Sequence, residues 1–170
     1  MPEPVTVVLI GPPAAGKTRV GKRLAKRLGL PFVDTDAMVV AEHGPIAAIF
    51  AEHGEPHFRA LERSAVAEAV HRPAVVSLGG GAILDPETRA DLDGKRVVLL
   101  TVRPEAIASR ITNGKRPLIT DLDSWKRLLA ERSEIYHSLA GYTADTSSRP
   151  IETIVEEIAR WVESPKEDDA

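Results

Sequence analysis

The sequence predicts a three-layer α/β fold, a parallel sheet with helices on both faces. Three observations predict it. Five short apolar runs alternate with helical patterns along the 170 residues, the arrangement that builds a parallel sheet through crossover helices. The first run passes through a glycine-bounded loop straight into a helix. The composition, 43% apolar and 28% charged, is that of a chain able to bury a core of its own. One domain over residues 1–163 is expected, with residues 164–170 as a frayed acidic tail.

Residues 5–10 form the first strand. Gly11-Pro12-Pro13-Ala14-Ala15-Gly16-Lys17-Thr18 follows and fits the pattern G-x-x-x-x-G-K-[ST]. A polyphosphate needs several backbone N–H groups aimed at it from close range, which glycine permits. The positive end of the next helix adds to the attraction. Lys17 is placed to reach the β- and γ-phosphates, and the Thr18 hydroxyl to hold Mg²⁺. Binding of a nucleoside triphosphate is expected. The helix itself shows Val20, Leu24 and Leu28 on its apolar stripe and Gly29 as its C-cap. Arg19, Lys22, Arg23, Lys26 and Arg27 lie off that stripe, on a solvated face.

Pro31-Phe32-Val33 leads a second strand into Asp34-Thr35-Asp36. Two carboxylates two residues apart at a strand end project from one face. If that strand neighbours the first, both lie near the phosphate loop. One can then help hold Mg²⁺ while the other accepts a hydrogen bond from an attacking hydroxyl. The residues equally allow Asp36 to be the N-cap of a helix opening at Ala37. Short helices are expected over 37–41 and 46–51. The tetrapeptide Ala-Glu-His-Gly occurs at 41–44 and again at 51–54, which is helix-end chemistry and not a repeat architecture. His43, His53 and His57 match no metal-ligand spacing and read as structural or surface residues.

Pro56 opens a helix carrying Phe58, Leu61, Ala65 and Ala69 on one stripe. The third strand, residues 74–78, runs into Gly79-Gly80-Gly81, either a flexible turn or bare backbone awaiting a ligand. A helix over 86–92, a fourth strand over 96–102 and a helix over 104–111 come next. Residues 112–123 are polar, with Gly114 and Pro117, and read as a mobile loop holding Arg116. Trp125, Leu128, Leu129 and Ile135 belong to a long helix. Residues 143–146 supply a last strand and 151–162 a closing helix. Arg59, Arg110, Arg116 and Arg132 stand apart from the helical patterning.

The bulk properties narrow the partners. A net charge of −3 without a basic block argues against nucleic acid. The absence of cysteine excludes disulfides and thiolate metal sites and fits a reducing cytosol. No signal peptide and no apolar run near 18 residues are present, so a cytoplasmic protein that does not span a membrane is expected.

Together the phosphate loop, Asp34-Thr35-Asp36, Phe58-Arg59 with Glu62, Ser77-Leu78-Gly79-Gly80-Gly81, Arg116-Pro117-Leu118 and Arg132 with Tyr136 resemble the shikimate kinase family. The motifs come in the family's order, and the similarity covers roughly residues 5–160. The phosphate loop alone is shared by thousands of proteins; the combination with D-T-D, F-R and G-G-G is far more specific. The resemblance implies a P-loop kinase fold of the nucleoside-monophosphate-kinase type. Its parts would be a five-stranded parallel sheet, a substrate-binding helical segment over about 34–62 and a lid over about 112–123. It implies transfer of the ATP γ-phosphate to the 3-hydroxyl of shikimate, on the route to chorismate and aromatic amino acids, by a monomer using Mg²⁺. By match, Asp36 holds the shikimate hydroxyls and Asp34 assists Mg²⁺. Arg59 and Arg132 bind the carboxylate, a task suited to planar bidentate donors, and the Gly79, Gly80 and Gly81 backbone lines the pocket. Arg116 is the lid arginine, and Arg110 lies against the adenine.

One departure stands out. The family usually has glycine where this chain has Ala14. If that position needs φ > 0, alanine costs roughly 1 kcal/mol. Three rival readings share the loop. A gluconate kinase is not expected to carry both D-T-D and G-G-G, and an adenylate kinase fits the arginine placement and short lid poorly. A silent, nucleotide-responsive binding module should have lost Lys17, Asp36 or a substrate arginine, and none is lost.

Overall fold

Strand β1 (Thr6–Ile10) is the middle of a five-stranded sheet. A computed structural model describes residues 5–108, 110 and 121–165. In chain order β1 is followed by α1 (Lys17–Leu28), β2 (Phe32–Asp34), α2 (Thr35–His43), α3 (Ile46–His53) and α4 (Glu55–Ala69). Then come β3 (Ala74–Ser77), a single 3₁₀ turn (Ala82–Leu84), α5 (Pro86–Asp91), β4 (Arg96–Thr101) and α6 (Pro104–Ile107). The chain closes with α7 (Leu122–Leu139), β5 (Tyr142–Asp145) and α8 (Ile151–Glu163). The strands lie in the order β2-β3-β1-β4-β5, and every pairing is parallel.

Side-chain alternation splits β1 between two cores. Val7 and Leu9 join Val20 and Leu24 of α1 and Ile154 and Ile158 of α8 on one face. Val8 and Ile10 join Val66 of α4, Ile83 and Tyr136 on the other. A small third cluster of Val39, Ile49, Phe58 and Ala65 holds α2, α3 and α4 together. That cluster makes the segment after β2 a packed unit of its own, able to present side chains to the strand ends.

Most expected elements are present, and two differences bear on the site. β2 ends at Asp34, so Asp36 lies in the first turn of α2 and not on a strand. The N-cap of α2 is Asp34, whose carboxylate accepts from the Ala37 amide at 3.2 Å; Asp36 is not the cap. β2 also does not adjoin β1, because β3 lies between them. The shared-face argument for the two aspartates therefore fails, and what brings them near the loop is β3, which pairs with both β1 and β2, together with the packing of α1 on β2 and β3. Both Ala-Glu-His-Gly stretches do end helices, with Gly44 and Gly54 just beyond. The cations of α1 expected on a solvated face partly pair with α8, as Arg23 with Glu152 and Arg27 with Glu156 and Glu163. Such exposed pairs are worth little, about 0–1 kcal/mol each.

Candidate active site

The nucleotide half of the site grows out of β1. Gly11 has φ 148°, and a Cβ there would sit 2.4 Å from the Leu100 carbonyl oxygen, so only glycine fits. Gly16, with φ 96°, turns the chain into α1, whose N-terminus has no side-chain cap and no acid in its first turn. A helix start without a capping side chain or a nearby acid suits an anion, with the helix dipole behind it. Ala14 has φ 67°, the one non-glycine residue with positive φ among those described. Holding alanine there costs about 1–2 kcal/mol. The Lys17 ammonium donates to the carbonyls of Gly11 at 2.7 Å and Pro12 at 3.0 Å, curled over the loop it would serve.

The Thr18 hydroxyl donates to Asp34 Oδ2 at 3.2 Å, while Asp34 Oδ1 caps α2. One carboxylate therefore ties the mouth of the loop to the start of the helix that bears Asp36. A hydroxyl and a carboxylate together are hard oxygen donors of the kind Mg²⁺ takes, alongside water and phosphate. Arg110 reaches across from the far side. Its two terminal nitrogens donate to the carbonyls of Ala14 and Thr146, both at 3.1 Å. A cleft of about 820 Å³ is lined by the loop, Asp34, Asp36, Leu78 to Gly80, Arg110 and the turn after β5.

The acceptor half is assembled around three missing Cβ atoms. A Cβ on Gly79 would lie 2.7 Å from Asp36 Oδ1 and 2.7 Å from Glu62 Oε2. On Gly80 it would meet Pro13 Cδ at 3.1 Å and Arg132 Nη1 at 3.3 Å, and on Gly81 the Arg59 guanidinium at 2.6 Å. None of the three has positive φ, so space and not conformation is what requires glycine here. The run is neither a loose turn nor merely open backbone. It is the floor against which two carboxylates and two guanidiniums converge from α2, α4 and α7.

Arg59 and Glu62 hold each other. Arg59 donates to Glu62 Oε1 at 2.9 Å and to Glu55 at 3.3 Å, and its guanidinium lies 5.4 Å from the Phe58 ring centre. Glu62 is only 3% exposed. Burial pushes its carboxyl above the usual range, an effect that Arg59 opposes and Asp36 reinforces. Arg132 is equally buried, and its Nε has no hydrogen-bond partner among the described residues. A buried unsatisfied donor calls for an acceptor, and an anionic oxygen would supply one. The Tyr136 hydroxyl donates to the Gly80 carbonyl at 2.5 Å, and burial pushes its pKa up to about 12. It stays a neutral donor that pins the glycine run.

Of the expected site residues, the structure brings Asp36, Arg59, Arg132 and the three glycines to one end of the sheet, beside the phosphate loop with Lys17, Thr18 and Asp34. Arg116 and the core of the expected lid lie outside the described residues; Leu122 and Asp123, expected in that lid, already open α7. Glu62 and Tyr136 help carry the family resemblance but have no role assigned from the sequence, although Glu62 stands three residues after Arg59, one helical turn away. Nothing local to Trp125 or Thr146 signalled their contacts with the phosphate loop.

The family model for shikimate kinase matches residues 13–163. This chain belongs to the shikimate kinase family. A shikimate kinase from Thermobifida fusca is 50% identical over 158 residues, covering 90% of this chain and 92% of that one. One from Salinispora arenicola is 45% identical over 157 residues, covering 89% and 94%. Among solved structures, a shikimate kinase from Acinetobacter baumannii in complex with shikimate superposes with a TM-score of 0.88 at 32% identity, covering 93% of this chain and 92% of that one. A gluconokinase from Sinorhizobium meliloti shares the fold at a TM-score of 0.58 and 21% identity, a likeness of architecture alone. Five parallel strands with helices on both faces make this the P-loop kinase architecture of that family.

Proposed function

We propose that this chain transfers the γ-phosphoryl group of ATP to the 3-hydroxyl of shikimate, giving shikimate 3-phosphate and ADP. The observation that carries the reading is the glycine floor. Arg59 and Arg132 crowd Gly81 and Gly80, and Asp36 and Glu62 crowd Gly79, beside a loop shaped for phosphate. A small acid with several hydroxyls is the ligand such a set suits. The guanidiniums take the carboxylate in planar pairs, and the carboxylates accept from hydroxyls.

In this reading Arg59 and Arg132 orient the acceptor so that its hydroxyl lies between Asp36 and the γ-phosphate. Asp36 takes the hydroxyl proton as the new O–P bond forms and the bond from the γ-phosphorus to the β,γ-bridging oxygen breaks. Lys17 and the amides of Gly16 and the start of α1 stabilise the charge that passes onto the leaving phosphate. Thr18 and Asp34 would hold Mg²⁺, directly or through water, and the ion when bound neutralises β- and γ-phosphate oxygens. Arg116, read from sequence as the lid arginine, would close over the transferring group, and Arg110 would flank the adenine. A monomer working in the cytosol goes with this reading. No helix among the described residues is long and apolar enough to cross a membrane.

An ADP-release assay with MgATP against shikimate, gluconate and the nucleoside monophosphates tests it. Turnover with shikimate and background rates with the others are expected. Gluconate or a nucleotide as the preferred acceptor, or no acceptor at all, would overturn it.

A further inference from the structure

Three consecutive carbonyls of the phosphate loop are gripped by side chains brought from far along the chain. The Trp125 indole donates to Pro13 O at 2.8 Å, Arg110 to Ala14 O at 3.1 Å and the Thr146 hydroxyl to Ala15 O at 2.6 Å. Trp125 is fully buried and Thr146 nearly so. The middle residue of the three, Ala14, is the one held at φ 67°. From these contacts we infer that Trp125 and Thr146 are positioning residues for the phosphate loop, and that alanine at position 14 makes the loop depend on them.

The peptide unit supplies the reason. Within a trans peptide the carbonyl and the following N–H point in opposite directions. Anchoring the Pro13 and Ala15 carbonyls toward α7 and β5 therefore turns the amides of Ala14 and Gly16 the other way. An amide aimed at a ligand is worth having only if it stays aimed. Glycine at position 14 would adopt the left-handed conformation without help. Alanine relaxes toward negative φ, and that relaxation swings the same peptide units. The two donors oppose it. Their loss lowers the fraction of molecules with a binding-competent loop, and apparent affinity falls by that fraction.

Trp125 also fills the core between β1 and α8, so a purely packing role must be separated from this one. Trp125→Phe keeps a ring and removes the N–H; Thr146→Val keeps the shape and removes the hydroxyl. Each would be made in the natural background and with Ala14→Gly, and the dissociation constant of MgADP measured by calorimetry on the full chain. With Ala14 present, each substitution is expected to weaken MgADP about five-fold, the worth of one hydrogen bond. With Ala14→Gly the same substitutions should cost about two-fold or less. Unchanged MgADP affinity, or an equal loss in both backgrounds, overturns the inference. If Trp125→Phe does not fold, the Thr146→Val pair decides. The inference rests on the nucleotide half of the proposed function, yet MgADP binding needs no acceptor. A chain that binds MgADP and ignores shikimate would sink the shikimate reading and leave this test readable.

Discussion

The two halves of the cleft are built by opposite means. The nucleotide half is one stretch of eight residues, Gly11 to Thr18, between a central strand and the helix it feeds. Its main tools are backbone amides and a helix end, supplied by the loop and α1 and gripped from outside at three carbonyls. The acceptor half has no such stretch. Asp36 comes from α2, Arg59 and Glu62 from α4, and Arg132 and Tyr136 from α7, all closing on three glycines after β3. A contiguous site depends on local conformation, and its weak point is a backbone angle at Ala14. A convergent site depends on packing, and its weak points are places where an added atom displaces a charged side chain. Substitutions should therefore act through charge and φ in one half and through space in the other.

The largest effect should come from Lys17→Ala. If Lys17 serves the transferring phosphate as proposed, kcat should fall by on the order of 10³ or more with the melting temperature nearly kept. A rate within ten-fold of the natural chain would show that the nucleotide half does not work as a unit. Asp36→Asn is next. Its amide keeps the shape but cannot take a proton, so kcat should drop by about 10²–10³ while MgADP affinity stays near normal. Since Asp34 and not Asp36 caps α2, thermal stability should barely change. A clear loss of stability without loss of rate would argue for a structural carboxylate.

Two substitutions then sharpen the contrast between the halves. Arg59→Ala removes one guanidinium from a charged pair and leaves Glu62 buried. The KM for shikimate should rise by tens to thousands of fold, about 2–5 kcal/mol, with that for ATP almost untouched. Gly79→Ala adds a single methyl where Asp36 and Glu62 each come within 2.7 Å. Both carboxylates must move, and the shikimate KM should rise about ten-fold. If Gly79→Ala weakened MgADP as much as shikimate, the two halves would be one cooperative unit and the division drawn above would fail.

The smallest effect concerns pH. Burial raises the Glu62 carboxyl above its ordinary value of 4.5 in the folded chain. Between that value and the raised one the native state binds more protons than the unfolded chain, so stability falls as pH climbs through the window. Glu62→Gln removes the titration. Its melting temperature relative to the natural chain should thus become more favourable by a few degrees as pH rises from about 4.5. A difference that does not vary with pH would mean that the ion pair with Arg59 offsets the burial cost.

The sequence by itself determined the phosphate loop and its flanking elements, because that stretch is local; the side chains that grip it from far along the chain were not legible. A strand, a spaced pair of glycines, a lysine and a helix are neighbours in the chain and remain neighbours in space. Short apolar runs marked most of the strands, and periodicity the long helices, for the same reason: each pattern is written within one element. What it could not decide was which elements meet. The short apolar runs at β2 and β3 say that both are strands and nothing about β3 lying between β2 and β1. The D-T-D spacing suggested a shared strand face, whereas the chain turns into α2 after Asp34 and delivers Asp36 from a helix. Four arginines looked unusual, yet only packing set Arg59 and Arg132 against the glycine floor and Arg110 against the phosphate loop. The need for three glycines was legible as an oddity, and its cause, side chains arriving from 17 to 67 residues away in the sequence, was not. Contacts between distant segments depend on how whole faces pack, and no short stretch of residues carries that information.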